Sequence, residues 1–305
     1  MADICIYNRY TKNQEIEKVY GEKAVELAYD SKLAKAIGPL VASRSLSRLY
    51  GSSQDTISSG KKVPKFIKKF NIKIDDYLPG SLEHEPIEKS YKTFNEFFIR
   101  KFKAGLRPFP SELDSMGAFA EARYFGHEAI SESTTIPVKG KFLSAAQLLG
   151  NVKNAEVFEG GPLLLARLCP VDYHRYHYCD SGKTLEAYRV KGDFHSVNPL
   201  ALKLKQNIFI KNERRISIIQ TENFGKLAYI EVGATMVGKI IQSADESQRF
   251  ERGQEKGYFL FGGSTVIVLG EPNAWKPSAD ILVNTKNSLE TYVHLGDAIA
   301  LKNNS

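Results

Sequence analysis

From about Ser111 onward the chain is built of short runs of β-branched, aromatic and aliphatic residues separated by Gly, Asn and Pro. "TLEAYRV", "NIFIKN", "RRISIIQT", "KLAYIEVGATMVGKII" and "STVIVLG" are bounded by turn residues, as strands of a β-rich body are. There is no regular alternation of strand and crossover helix, and no internal repeat. The first third has a different texture. "EIEKVYGEKAVELAYDSKLAKAIGPLVASRSLSRLYG" places apolar residues three and four apart and stops at Gly51, a helical pattern. The expected class is α+β, with a helical N-terminal region (1–110) packed on a β-rich core (111–305).

One run departs from this pattern. In "KGYFLFGGSTVIVLGEP" (Lys256–Pro272), Gly-Gly-Ser-Thr interrupts an apolar stretch that resumes at once. Glycine inside a strand marks a bulge, a sharp bend or a close backbone approach, and a tight turn between two buried strands is the plainest reading.

Bulk properties exclude several classes. The chain has 305 residues, 42% hydrophobic and 25% charged, with a net charge of +7 that favours anionic partners. Cys5, Cys169 and Cys179 fit no metal or redox spacing and suit a reducing compartment. The opening "MADICIYNRYTKNQE" holds no apolar core of signal-peptide length, and no uncharged run approaches a membrane span. Phosphate-loop, dinucleotide-fingerprint and nucleophile-elbow motifs are missing, as are nucleic-acid-binding signatures. A peripheral membrane contact stays open. "KKVPKFIKKFNIKI" sets Val63, Phe66, Ile67, Phe70 and Ile74 on one helical face, ringed by Lys61, Lys62, Lys65, Lys68, Lys69 and Lys73. Such a helix either packs its aromatic face into the core or lies on an anionic bilayer.

"LCPVDYHRYHYCDSG" concentrates Asp172, His174, Arg175 and His177 among tyrosines. No further ligands follow at a zinc spacing, so acid–base work suits the two histidines better than metal binding, beside the bland reading of structural hydrogen bonds.

Six stretches, in order, resemble the phosphatidylserine decarboxylases. They are "FNEFFIRKFKAGLRPF" (Phe94–Phe109), "ARLCPVDYHRYHY" (Ala166–Tyr178), "FHSVNPLAL" (Phe194–Leu202), "NERRISII" (Asn212–Ile219), "EVGATMVGKI" (Glu231–Ile240) and "KGYFLFGGSTVIVL" (Lys256–Leu269). The resemblance implies that the chain is a proenzyme that cuts itself between Gly263 and Ser264, leaving a covalent pyruvoyl group from Ser264 as cofactor. That group forms a Schiff base with the serine headgroup and accepts the electrons released with carbon dioxide. The expected reaction is phosphatidylserine to phosphatidylethanolamine. The glycine before Ser264 tolerates the bend that an N-to-O acyl shift needs.

The resemblance also assigns roles. His177 is the expected base for Ser264, and His174 the expected proton donor to the decarboxylated adduct or contact to substrate. The family's usual aspartate, which completes an Asp–His–Ser arrangement, is replaced by Glu121 in "FAEARYFGHEAI". Its additional methylene raises an alternative, a processing-deficient relative that binds acidic lipid. A third reading is a pyruvoyl decarboxylase for another amine-bearing carboxylate. His195 is expected to be structural or to line the substrate pocket; His84, His127 and His294 match no family role. The lipid substrate tips the basic helix toward membrane contact through Lys62, Lys65, Phe66, Lys69 and Phe70. The expected assembly is a heterodimer of the two cut chains, itself dimeric, peripheral at a cytoplasmic membrane face. No metal and no nucleic acid are expected.

Overall fold

The computed structural model describes residues 4–17, 51–130, 135–136, 141–142, 144–150, 152–192, 208–233, 239–262 and 264–303. Most of the predicted helical run from Glu15 to Gly51, the block around His195, part of the Glu231–Ile240 block and Gly263 lie outside them.

Ten strands form the main sheet. Their order is Arg249–Phe250, Gly182–Val190, Arg214–Thr221, Lys226–Gly233, Ser264–Gly270, Leu163–Leu168, Ala122–His127, Glu290–Val293, Cys5–Asn8 and Asn13–Ile16. Neighbours are antiparallel except Cys5–Asn8, which runs parallel to Glu290–Val293. The strand beginning at Ser264 sits in the middle, and all seven of its residues are buried. Its Thr-Val-Ile-Val run fits that place, since β-branched residues pack on both faces of a covered central strand.

The β-rich body is therefore present. The helical expectation for the N-terminal region fails at its start, where Cys5–Asn8 and Asn13–Ile16 extend the main sheet. Those runs are only four residues each, and the second, at the sheet edge, is polar at three of its four positions.

A smaller sheet of Ile240–Gln242, Glu255–Phe259 and Arg175–His177 carries the histidine segment beside the run that leads to Ser264. Helical elements lie against it. The helix Phe94–Phe98 is capped by Thr93, whose hydroxyl accepts from the Glu96 amide at 3.1 Å. Val63, Phe66, Tyr91, Phe94, Phe97, Phe98 and Phe261 form one aromatic cluster. Through Phe261 the helical layer grips the chain just ahead of Ser264.

Phe66 is thus corrected. It was expected at the membrane interface, but it is 6% exposed and meets Phe94 and Phe97 edge-on at 5.2 and 5.7 Å. Phe70 is half-buried against it at 4.7 Å. Lys61, Lys62, Lys65, Lys68, Lys69 and Lys73 remain exposed. The apolar stripe faces inward because it has a core to cover.

Candidate active site

Ser264 opens the central strand opposite Gly233 on one side and Leu168 on the other. Its side chain is fully buried, and its Oγ has no hydrogen-bond partner. The residue two before it, Gly262, has φ +147°, a conformation that a side chain disfavours. The glycine-rich interruption is therefore a bend feeding a buried serine into the sheet.

His174 is positioned by the same run. Its carbonyl accepts from the Phe259 amide at 3.0 Å, tying it to the strand that leads to Ser264. The imidazole stacks on Phe98 at 3.7 Å, and Phe98 in turn meets Phe261 edge-on at 5.0 Å. Nδ1 lies 3.1 Å from the Asp172 carbonyl, which can only accept, so Nδ1 carries the hydrogen. Nε2 is buried and makes no hydrogen bond of ordinary geometry, and the Gly262 backbone lies beside the ring. Burial, aided by the Arg100 and Arg123 charges, pushes the His174 pKa down to about 3, against the opposing pull of the Asp172 and Gly262 backbone. The ring is neutral at ordinary pH, which is the state a general base needs.

His177 is placed differently. His174 lies just before the strand Arg175–His177, and extended residues three apart point to opposite sides, so the two histidines do not share a face as they would on a helix. His177 Nδ1 donates to the Gly253 carbonyl at 2.9 Å, and Nε2 faces the Tyr173 hydroxyl at 3.2 Å. Burial lowers its pKa. Both of its nitrogens are engaged. The histidine at the bend before Ser264 is His174, tied there by the Phe259 amide and stacked on Phe98.

Glu121 does not complete an Asp–His–Ser arrangement either. Its carboxylate accepts from Arg107 Nε at 2.6 Å and Nη2 at 3.2 Å, from the Tyr292 hydroxyl at 3.1 Å and from the Leu295 amide at 3.3 Å. No hydrogen bond joins it to either histidine among the described residues. A bidentate guanidinium is the stronger partner for a carboxylate.

A family model for phosphatidylserine decarboxylase matches residues 94–301. The chain is 39% identical to the phosphatidylserine decarboxylase proenzyme of Clostridium perfringens over 300 residues, which cover 98% of this chain and 100% of that one. It is 39% identical to the Ruminiclostridium cellulolyticum proenzyme over 297 residues, 97% of each chain. The Clostridium tetani proenzyme is 38% identical over 299 residues, 98% of each. The chain belongs to the phosphatidylserine decarboxylase family.

In this decarboxylase-family chain, two charged groups behind Ser264 escaped the sequence reading. Side chains of residues paired across a sheet share a face, which places Ser264, Val266 and Glu231 together. Glu231 is fully buried and ion-paired with the fully buried Lys256, Oε1 to Nζ 2.7 Å. Lys256 also reaches Gln242 at 2.7 Å and Ser217 at 3.0 Å. On the other face Thr265 pairs with Arg167, which shares Glu17 with Arg123 and holds Glu290; Arg123 also pairs with Asp172. A lone Glu inside "KLAYIEVGATMV" was the available signal for the first network. The second joins residues far apart in sequence, and nothing local announces it.

Proposed function

We propose that this chain converts phosphatidylserine to phosphatidylethanolamine after cutting itself between Gly263 and Ser264. The observation that carries the reading is a fully buried Ser264 Oγ without a hydrogen-bond partner, at a Gly262 bend beside the His174 ring, in a phosphatidylserine decarboxylase-family fold. His174 takes the Ser264 hydroxyl proton as Oγ attacks the Gly263 carbonyl, turning the amide into an ester. Abstraction of the Ser264 α-proton then breaks the Cβ–Oγ bond and releases the Gly263 carboxylate. Water then adds to the imine tautomer of the remaining dehydroalanine and expels ammonia, leaving a pyruvoyl group at residue 264. That group supplies the electron sink for decarboxylation.

The central strand fits the group. Residue 264 would be held between Gly233 and Leu168, with the neutral His174 ring near the bend before it. The exposed lysines around Val63–Phe70 favour approach to an anionic lipid surface, with the aromatic face kept inside. No described helix is long and apolar enough to cross a membrane.

Intact mass of the purified protein under denaturing conditions tests this, with and without hydroxylamine to trap a carbonyl. Two chains divided at Gly263–Ser264, the second starting with a trappable carbonyl and active on phosphatidylserine vesicles, are expected. A single chain that stays whole on long incubation overturns the reading.

A further inference from the structure

Five arginines are buried among the described residues: Arg100, Arg123, Arg167, Arg175 and Arg214. Arg123, Arg167 and Arg175 are each ion-paired with carboxylates. Arg214 aims Nη1 at the carbonyls of Phe209, Ile210 and Asn212. Arg100 is paired with no carboxylate among the described residues, and like Arg214 it is met by neutral acceptors alone. Nη2 donates to the Val171 carbonyl at 2.9 Å and to the Tyr77 hydroxyl at 3.4 Å, and Nη1 donates to the Phe97 carbonyl at 3.3 Å. Nε is buried without a partner, in a residue only 3% exposed. The guanidinium lies over the rings of Tyr77 and Phe97 at 4.4 and 4.6 Å. Ring faces and two or three neutral acceptors leave most of a buried positive charge unbalanced, an expensive arrangement for structure alone.

Its place is specific. Val171, which Arg100 holds, precedes Asp172, whose carbonyl fixes His174. Phe98, two residues before Arg100, stacks on the same imidazole. The unbalanced cation and the neutral histidine are therefore anchored to one loop and one short helix.

We propose that Arg100 is the subsite for the phosphodiester of the lipid headgroup in the processed enzyme. This rests on the decarboxylase reading above. The headgroup carries two oxyanions, and the chemistry decides between them. A cation clamped on the carboxylate would stabilise the group the reaction expels, whereas the phosphodiester keeps its charge from substrate to product. A planar guanidinium with a free Nε donor suits two phosphate oxygens. The phosphorus also lies only a few bonds from the reacting carbon, which matches a cation near His174 rather than on it. In the uncut chain this corner is closed. Phe261 packs on Phe94 and Phe98 at 5.1 and 5.0 Å, and its amide donates to Asn95 Oδ1 at 2.9 Å. A cut after Gly263 turns that segment into a chain end.

The test uses the processed enzyme, with glycerophosphoserine, glycerophosphoethanolamine and free L-serine as competitors of vesicle decarboxylation. In Arg100→Lys and Arg100→Gln, with cutting checked first by intact mass, both phosphodiesters should bind on the order of 10- to 100-fold more weakly, and L-serine as before. Weakening confined to the carboxylate-bearing ligands, or no weakening, overturns the assignment. Should the variants fail to fold or cut, wild-type enzyme gives the answer through phenylglyoxal labelling read by peptide mass. Arg100 should be labelled in the cut enzyme, not in uncut Ser264→Ala, and shielded by glycerophosphoethanolamine but not by L-serine. An Arg100 that stays unlabelled after the cut, or is not shielded, overturns the proposal. A wild-type chain that never cuts overturns the decarboxylase reading itself, whereas a cut, active wild type with an indifferent Arg100 overturns only this inference.

Discussion

The additional methylene of Glu121 is spent on Arg107. The carboxylate is filled by that guanidinium, Tyr292 and the Leu295 amide. Glu121→Gln keeps the shape and loses the charge, so stability should fall by about 1–3 kcal/mol. The chain should still cut. Urea midpoints and intact mass check both halves, and an uncut variant with unchanged stability would restore a direct catalytic role. His174 makes a sharper statement about pH. Its neutral form, the base in the proposed cut, persists until pH falls through about 3. Self-cleavage of freshly refolded chain should therefore hold its rate from about pH 8 to about pH 5. A decline centred near the ordinary histidine value would mean that an unburied imidazole does the work. Ser264 was legible only through the family resemblance, because the Gly-Gly-Ser-Thr break by itself reads as a tight turn between buried strands. The different settings of His174 and His177 were not, because they depend on which ring each neighbouring carbonyl captures.

Between elements, the helix Val63–Phe70 was read correctly as amphipathic and incorrectly as to what its aromatic face meets. A helical stripe of Phe and Ile looks the same whether a core or a bilayer will cover it. Here the partners are Phe94 and Phe97, contributed by another element some thirty residues on, and no local pattern announces them. The two faces should separate experimentally. Phe66→Ala opens a cavity in the cluster that grips Phe261, and should cost about 3–5 kcal/mol in denaturant unfolding and slow self-cleavage with it. Lys62, Lys65 and Lys69 replaced together by Gln should leave unfolding nearly unchanged but weaken binding to phosphatidylserine vesicles at low salt by about 1 kcal/mol per lysine. Equal binding by both proteins in vesicle sedimentation would leave the helix without a membrane role. The strands from Ser264 and Lys226 were legible for the opposite reason. Their β-branched runs are buried on both faces, and that composition suits little else. The strands Cys5–Asn8 and Asn13–Ile16 are short and partly polar, and the pairing of the first with Glu290–Val293 is a long-range fact.

At the scale of the molecule, the charge layer behind the sheet makes the fold sensitive to acid. Burial alone would raise the Glu17 pKa, but Arg167 and Arg123 outweigh it and hold the carboxyl at about 2, below its ordinary 4.5. A depressed carboxyl stabilises the fold above the unfolded value and loses that contribution as pH falls toward the folded one. Glu17 should thus supply on the order of 3 kcal/mol at neutral pH, fading between about pH 4.5 and about pH 2. His174 acts in the same direction earlier, because unfolding lets its ring take a proton below about pH 6.5. Urea unfolding at descending pH should show both slopes, and Glu17→Gln should flatten the lower one. Sheet order has a further consequence. The piece from Ser264 onward supplies two interior strands, Ser264–Gly270 between Lys226–Gly233 and Leu163–Leu168, and Glu290–Val293 between Ala122–His127 and Cys5–Asn8. Severing one peptide bond would therefore release nothing. The fragments would be interlaced like warp and weft, travelling as one particle through any native separation and coming apart only in denaturant. Mixed afterwards, they would have no continuous chain to re-thread them, so the intact precursor would serve as a single-use loom for its own mature form.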